Sequence, residues 1–78
     1  MPTILRVRDH RFFFFSNERH EPPHVHVETG DNYAKFWLNP VALAVSFGYR
    51  ARDVRRLREL VEQHRDLFEE KWHEYFSR

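Results

Sequence analysis

Seventy-eight residues, no cysteine and a net charge of +1 exclude a second hydrophobic core, a disulfide framework and a thiolate zinc site. Aromatic residues make up 17% of the chain against only two glycines, which excludes a disordered linker and gives one compact domain over residues 1–78. The start MPTILRVRDHRFFFFS has no basic, apolar, cleavable leader, and no run approaches the ~20 apolar residues that cross a bilayer. A cytoplasmic protein without membrane contact is expected.

The first half reads as strands. TILRVR (3–8) is rich in β-formers, Asp9-His10 suits a turn, and RFFFFS (11–16) is apolar on both faces, as a central strand would be. A polar loop over 17–23 ends in Pro22-Pro23, which cannot donate ladder hydrogen bonds and keeps the chain extended. HVHVE (24–28) and YAKFWL (33–38) alternate strictly around TGDN, whose Gly30-Asp31 pair suits a two-residue hairpin. Asn39-Pro40 breaks the pattern, and VALAVS (41–46) is read as a short edge strand rather than a helical turn.

From Ala51 to Phe76 the period becomes helical. Val54, Leu57, Val61, His64, Phe68, Trp72 and Tyr75 form one stripe, widened by Leu60 and Leu67. Arg50 is a poor N-cap, although Asp53 brings a carboxylate to the first turn. A continuous rod would be ~39 Å long at 1.5 Å per residue, against ~20 Å for a six-residue strand. It must overhang or break, and Asp66 with Glu69 resembles a capping box near a break at His64-Arg65. The expected fold is α+β: an antiparallel meander of four to five strands with one long C-terminal helix, continuous or broken, on one face. Unbroken, its aromatic end would need another surface, such as a second copy in a homodimer through the C-terminal helix.

A hairpin about Gly30-Asp31 pairs His24 with Trp37, Val25 with Phe36, His26 with Lys35, Val27 with Ala34 and Glu28 with Tyr33. Alternation then gives a helix bed of Val25, Val27, Ala34, Phe36 and Leu38. The opposite face collects His24, His26, Glu28, Tyr33, Lys35 and Trp37, and chemistry belongs there. Three readings of it stay open. His24, His26 and Lys35 can donate to phosphate, with Glu28 alongside and with Tyr33 and Trp37 as stacking faces, or act as the acid, base and charge of a metal-independent ribonuclease or phosphotransfer enzyme. His-x-His can instead bind a divalent transition metal, with His20, Glu21 or His10 as the third ligand, although Lys35 opposes a cation. The metal set is then His20, His24 and His26; the anion readings need no cofactor. Third, the face is an ordinary structural one held by cross-strand pairs.

Residues 50–65 carry six arginines against Asp53, Glu59 and Glu62, and residues 66–78 reverse the sign. Arg52, Arg55 and Arg56 are therefore candidate nucleic-acid contacts, with a solvated helix face as the plain alternative.

PPHVHVETGDNYAKFWL and RRLRELVEQHRDLFEEKWHEYF, with the MPTI start and the aromatic run through SNE, make the chain similar to a small bacterial family, domain of unknown function 4160. The resemblance rests on Pro22, Pro23, His24, His26, Val27, Gly30, Asp31, Ala34 and Trp72, and it departs at Arg50, where a Ser, Thr or Pro often caps the helix. It implies a stand-alone α+β protein. It also implies a regulatory or interaction role in a toxin–antitoxin-like gene pair, with a small protein from a neighbouring gene (domain of unknown function 2442) as partner.

Overall fold

The computed structural model describes residues 3–15, 18 and 20–77. Five strands lie in sequence order: β1 (Thr3–Val7), β2 (His10–Phe13), β3 (His24–Thr29), β4 (Asn32–Leu38) and β5 (Val41–Phe47), all neighbours antiparallel. Two helices follow, α1 (Ala51–Gln63) and α2 (Arg65–Phe76). The α+β meander is as the sequence predicts. The first turn is Arg8-Asp9 instead of Asp9-His10, and β2 ends at Phe13, two residues short of Phe15; the expected strand end at Ser16 lies outside the described residues.

The central hairpin has the predicted register, from His24 opposite Trp37 to Thr29 opposite Asn32. Gly30 makes this possible, because it takes φ 57°, a left-handed conformation that costs glycine nothing. With register fixed, parity follows: Val25, Val27, Ala34, Phe36 and Leu38 are fully buried in the core, together with Phe12 and Phe14. Leu57 and Val61 of α1 and Phe68 and Trp72 of α2 close that core from one side. Each such side chain contributes roughly 1.5–3 kcal/mol on leaving water.

The C-terminal helix is two helices, not one rod. The break falls at His64, whose backbone leaves helical geometry at φ −108°, ψ 13°. Asp66 does not cause it as a cap, since α2 starts one residue earlier. The junction is instead tied to the sheet: Arg65 donates from Nε to the Leu38 carbonyl at 2.8 Å and from Nη2 to Asn39 Oδ1 at 3.3 Å. The break brings the aromatic end back onto its own chain. Phe14 meets Trp72 edge-on at 5.3 Å, and Tyr75 and Phe76 each at 6.2 Å between ring centres. The unsatisfied overhang that suggested a homodimer through this helix is thus absent. Among the described residues, no helix is long and apolar enough to cross a membrane.

Candidate functional site

On the sheet face opposite the core, His24 and His26 project together, two residues apart on β3. They share that face with Lys35, Trp37 and Tyr33 of β4: Tyr33 Oη is 2.6 Å from His26 Nδ1, and the Trp37 ring lies 5.5 Å from that of His24. The parity is as the sequence predicts, but the face is not open. His24 is 0% and His26 1% exposed, so neither ring meets solvent as an ordinary outer face would require. Phe13 stacks on His26 at 5.4 Å, and Phe15 meets it edge-on at 4.4 Å. Trp37 and, from α2, Trp72 flank His24 at 5.5 and 4.8 Å. The covering is aromatic because four phenylalanines in a row must serve both sides of the sheet; the even pair faces the helices and the odd pair the histidines.

The remaining side is closed by a carboxylate. Glu18 Oε1 stands 2.8 Å from His24 Nε2 and 2.6 Å from His26 Nε2. The three ligand-capable atoms lie within 4.8 Å of one another. A turn carries Glu18 there, the Glu21 amide donating to the Glu18 carbonyl at 3.1 Å, before Pro22-Pro23 lead into β3.

The other ring nitrogens also have partners. His24 Nδ1 donates to the Pro22 carbonyl at 2.9 Å, and His26 Nδ1 lies 2.6 Å from the Tyr33 hydroxyl. A carbonyl can only accept, so the His24 Nδ1 proton is fixed. With a second proton on Nε2, the ring is an imidazolium against Glu18. Without it, a lone pair and a carboxylate oxygen converge on a point that calls for a cation. His26 differs, because the Tyr33 hydroxyl can either donate to Nδ1 and leave Nε2–H to Glu18, or accept from Nδ1–H and leave the Nε2 lone pair facing the same point.

Burial pushes His26 below its ordinary pKa, outweighing the hydrogen bond and charge of Glu18. Burial would raise Glu18, but hydrogen bonds and charge from both histidines leave its carboxyl lowered. Tyr33 is raised by burial and by Glu18 and Glu21, so it keeps its proton at neutral pH.

The other expected residues divide clearly. Lys35 is no free cation beside His26: its Nζ pairs with Glu21 at 2.7 Å and lies 4.5 Å above the Trp37 ring. Its opposition to a metal is therefore partly cancelled. Glu28 pairs with Arg11 at 2.8 Å, away from the cluster. His20, expected as the third ligand, is exposed and outside the cluster, and Glu18 takes its position. Arg52, Arg55 and Arg56 are exposed on α1, across the sheet from the histidines. Glu18 escaped the sequence reading because a loop residue's direction depends on how β2 hands over to β3. The one signal was general: a third ligand had to come from a nearby loop, with His20, Glu21 and His10 as the candidates.

A family model described as Domain of unknown function (DUF4160) matches residues 10–73, which span the cluster and nearly all of both helices. No curated protein and no solved structure matches the chain.

Proposed function

The chain belongs to the family described as Domain of unknown function (DUF4160), and we propose that it is a metal-binding protein that holds one divalent transition ion through Glu18, His24 and His26. One observation carries this reading: both Nε2 atoms and one carboxylate oxygen converge, while both Nδ1 atoms are held from behind. Metal-binding histidines need that arrangement, since a partner on the far nitrogen fixes the tautomer and turns the other lone pair to the ion. Ligand bonds of ~2.0–2.2 Å put neighbouring donor atoms roughly 3–3.5 Å apart. The two Nε2–Oε1 distances of 2.8 and 2.6 Å are a little shorter, and all three atoms lie within 4.8 Å of one another, so an ion would enter with small side-chain adjustments. Two imidazoles and a carboxylate suit zinc, iron(II) and similar first-row ions. Three protein ligands also leave at least one coordination position for water or an incoming group.

Protein purified without a histidine tag is expected to carry about one ion per chain by elemental analysis, or to bind zinc, manganese or iron(II) at that ratio. Glu18→Gln and His24→Ala should each lose it. Absence of any such ion, with no saturable binding of the three, sinks the reading.

The metal-independent ribonuclease or phosphotransfer reading of His24, His26 and Lys35 has less support, because a phosphodiester would have to displace both Glu18 and Glu21. A second reading does have an observation in its favour: a regulatory protein of a toxin–antitoxin-like pair that docks a small partner protein. β5 is an edge strand without a charged residue, and Leu43 and Phe47 on it are 41% and 63% exposed. Co-expression with the product of the neighbouring gene should then give one co-eluting peak that Leu43→Lys abolishes; two independent peaks would remove this reading.

A further inference from the structure

On the helical side of the sheet, opposite the histidine cluster, the β1–β2 turn and α1 enclose a cleft of about 410 Å³. Arg8 and His10 line it from the hairpin, and Arg56, Glu59 and Gln63 from the helix. Its size lies within the usual range for small-ligand pockets. A smaller recess of about 190 Å³ adjoins it through His10 and Arg56 and adds the hydroxyls of Thr29 and Tyr49.

Arg8 is an odd choice for its position. It takes φ 55° and is the one non-glycine residue with positive φ among the described residues. This conformation costs an ordinary L-residue roughly 1–2 kcal/mol, a cost that glycine escapes and asparagine largely avoids. The turn nevertheless carries an arginine, which lines the cleft together with Arg56. Neither arginine has an ion pair or hydrogen bond among the described residues. In the cleft the two guanidiniums outnumber the one carboxylate, Glu59, while Asp53 lines the adjoining recess, so an anion is favoured at the end that Arg8, Arg56 and His10 line.

His10 completes the set. Its Nδ1 lies 2.7 Å from Thr29 Oγ1, which lies 2.8 Å from the Tyr49 hydroxyl. Burial raises Tyr49 above its ordinary range, so its hydroxyl keeps its proton. If Tyr49 donates to Thr29 and Thr29 to His10, the imidazole proton sits on Nε2 and can serve as a donor in the cleft that His10 lines. Glu59 and Gln63, one and two turns beyond Arg56, add acceptors at the far end. Donors therefore come from both sides, Arg8 and His10 from the hairpin and Arg56 from the helix, with the acceptors further along the helix.

We propose that this cleft binds a small phosphorylated sugar or mononucleotide, with Arg8, Arg56 and His10 on the phosphate and Glu59 and Gln63 on the sugar hydroxyls. Two guanidiniums and an imidazole favour a phosphate dianion over a carboxylate, both in charge and in number of acceptor oxygens. The cleft shares no residue with the histidine cluster, so it stands whether or not that cluster binds metal.

Calorimetric titration at low salt tests this with inorganic phosphate, ribose 5-phosphate, adenosine monophosphate and a short single-stranded RNA. The two phosphorylated sugars should bind saturably and more tightly than inorganic phosphate. Arg8→Asn and Arg56→Gln should each weaken them about tenfold, the loss of one charge-assisted hydrogen bond. Arg8→Asn should melt at or above the wild-type temperature, because asparagine tolerates the turn, so lost binding cannot be blamed on misfolding. Glu18→Gln should bind like wild type. No saturable binding of either sugar phosphate overturns the proposal, as does undiminished binding by the double variant or binding of RNA alone.

Discussion

The hydroxyl of Tyr33 tests the support behind the cluster without touching a ligand. Tyr33→Phe keeps the ring stacked on His26 and removes only the partner of Nδ1. Loss of such a partner typically costs 10–100-fold in metal affinity. Competition against a chelator of known strength should show a loss of about tenfold at an unchanged fold; undiminished affinity would mean that the hydroxyl plays no part. Acid gives a second residue-scale test. Glu18, His24, Tyr33 and Lys35 face the His26 ring, with Phe13 and Phe15 on its apolar sides. Burial holds His26 below 6.5 in the folded state, so below about that pH the unfolded chain binds more protons. Stability should fall as pH drops through that window. Glu18 adds to the fall further into acid, since its lowered carboxyl stabilises the fold above 4.5 and stops doing so as it protonates. Metal-free protein should melt at progressively lower temperature from about pH 7.5 to 5, and His26→Gln should flatten the upper part of that profile. A flat wild-type curve would contradict this account.

At the scale of elements, the junction between α1 and α2 hangs on one side chain. Arg65 donates to the Leu38 carbonyl where β4 ends, and its loss removes that charged hydrogen bond. Arg65→Ala should cost about 1–2 kcal/mol in urea unfolding, as for a hydrogen bond from a charged group, with an unchanged m-value. A smaller shift would mean that the break is set by the helices alone. The elements themselves were legible because each rests on a local rule. Alternation at HVHVE and YAKFWL, glycine at position 30 and the 3.6-residue stripe gave strands, register and buried face. What was not legible depends on contacts distant in sequence. Arg65 finds its acceptor 27 residues earlier, and Glu18 reaches two histidines through a loop with no periodicity. The burial of His24 was not legible for a related reason: parity tells which side a residue faces, not what will cover that side. Here Trp72, nearly fifty residues later, does so.

For the whole molecule, a metal centre would matter more than in a larger protein, because a chain this short has little surplus stability. Ligand at a hundred times its dissociation constant adds ~2.7 kcal/mol, and one kcal/mol moves the melting point of such a domain by about 4–8 °C. Zinc or iron(II) should therefore raise the melting temperature by roughly ten degrees or more, and a chelator should reverse it. Glu18→Gln should show neither effect. An equal shift in that variant would point to adventitious ions on the surface.

β5 has a practical consequence too. From Val41 to Phe47 the outermost strand offers neither lysine nor proline to deter a neighbour. Concentrated samples should accordingly thicken into ribbons stitched along this border before they unfold. Leu43→Lys should lengthen shelf life, read as slower growth of light scattering, while leaving ion content and melting unchanged.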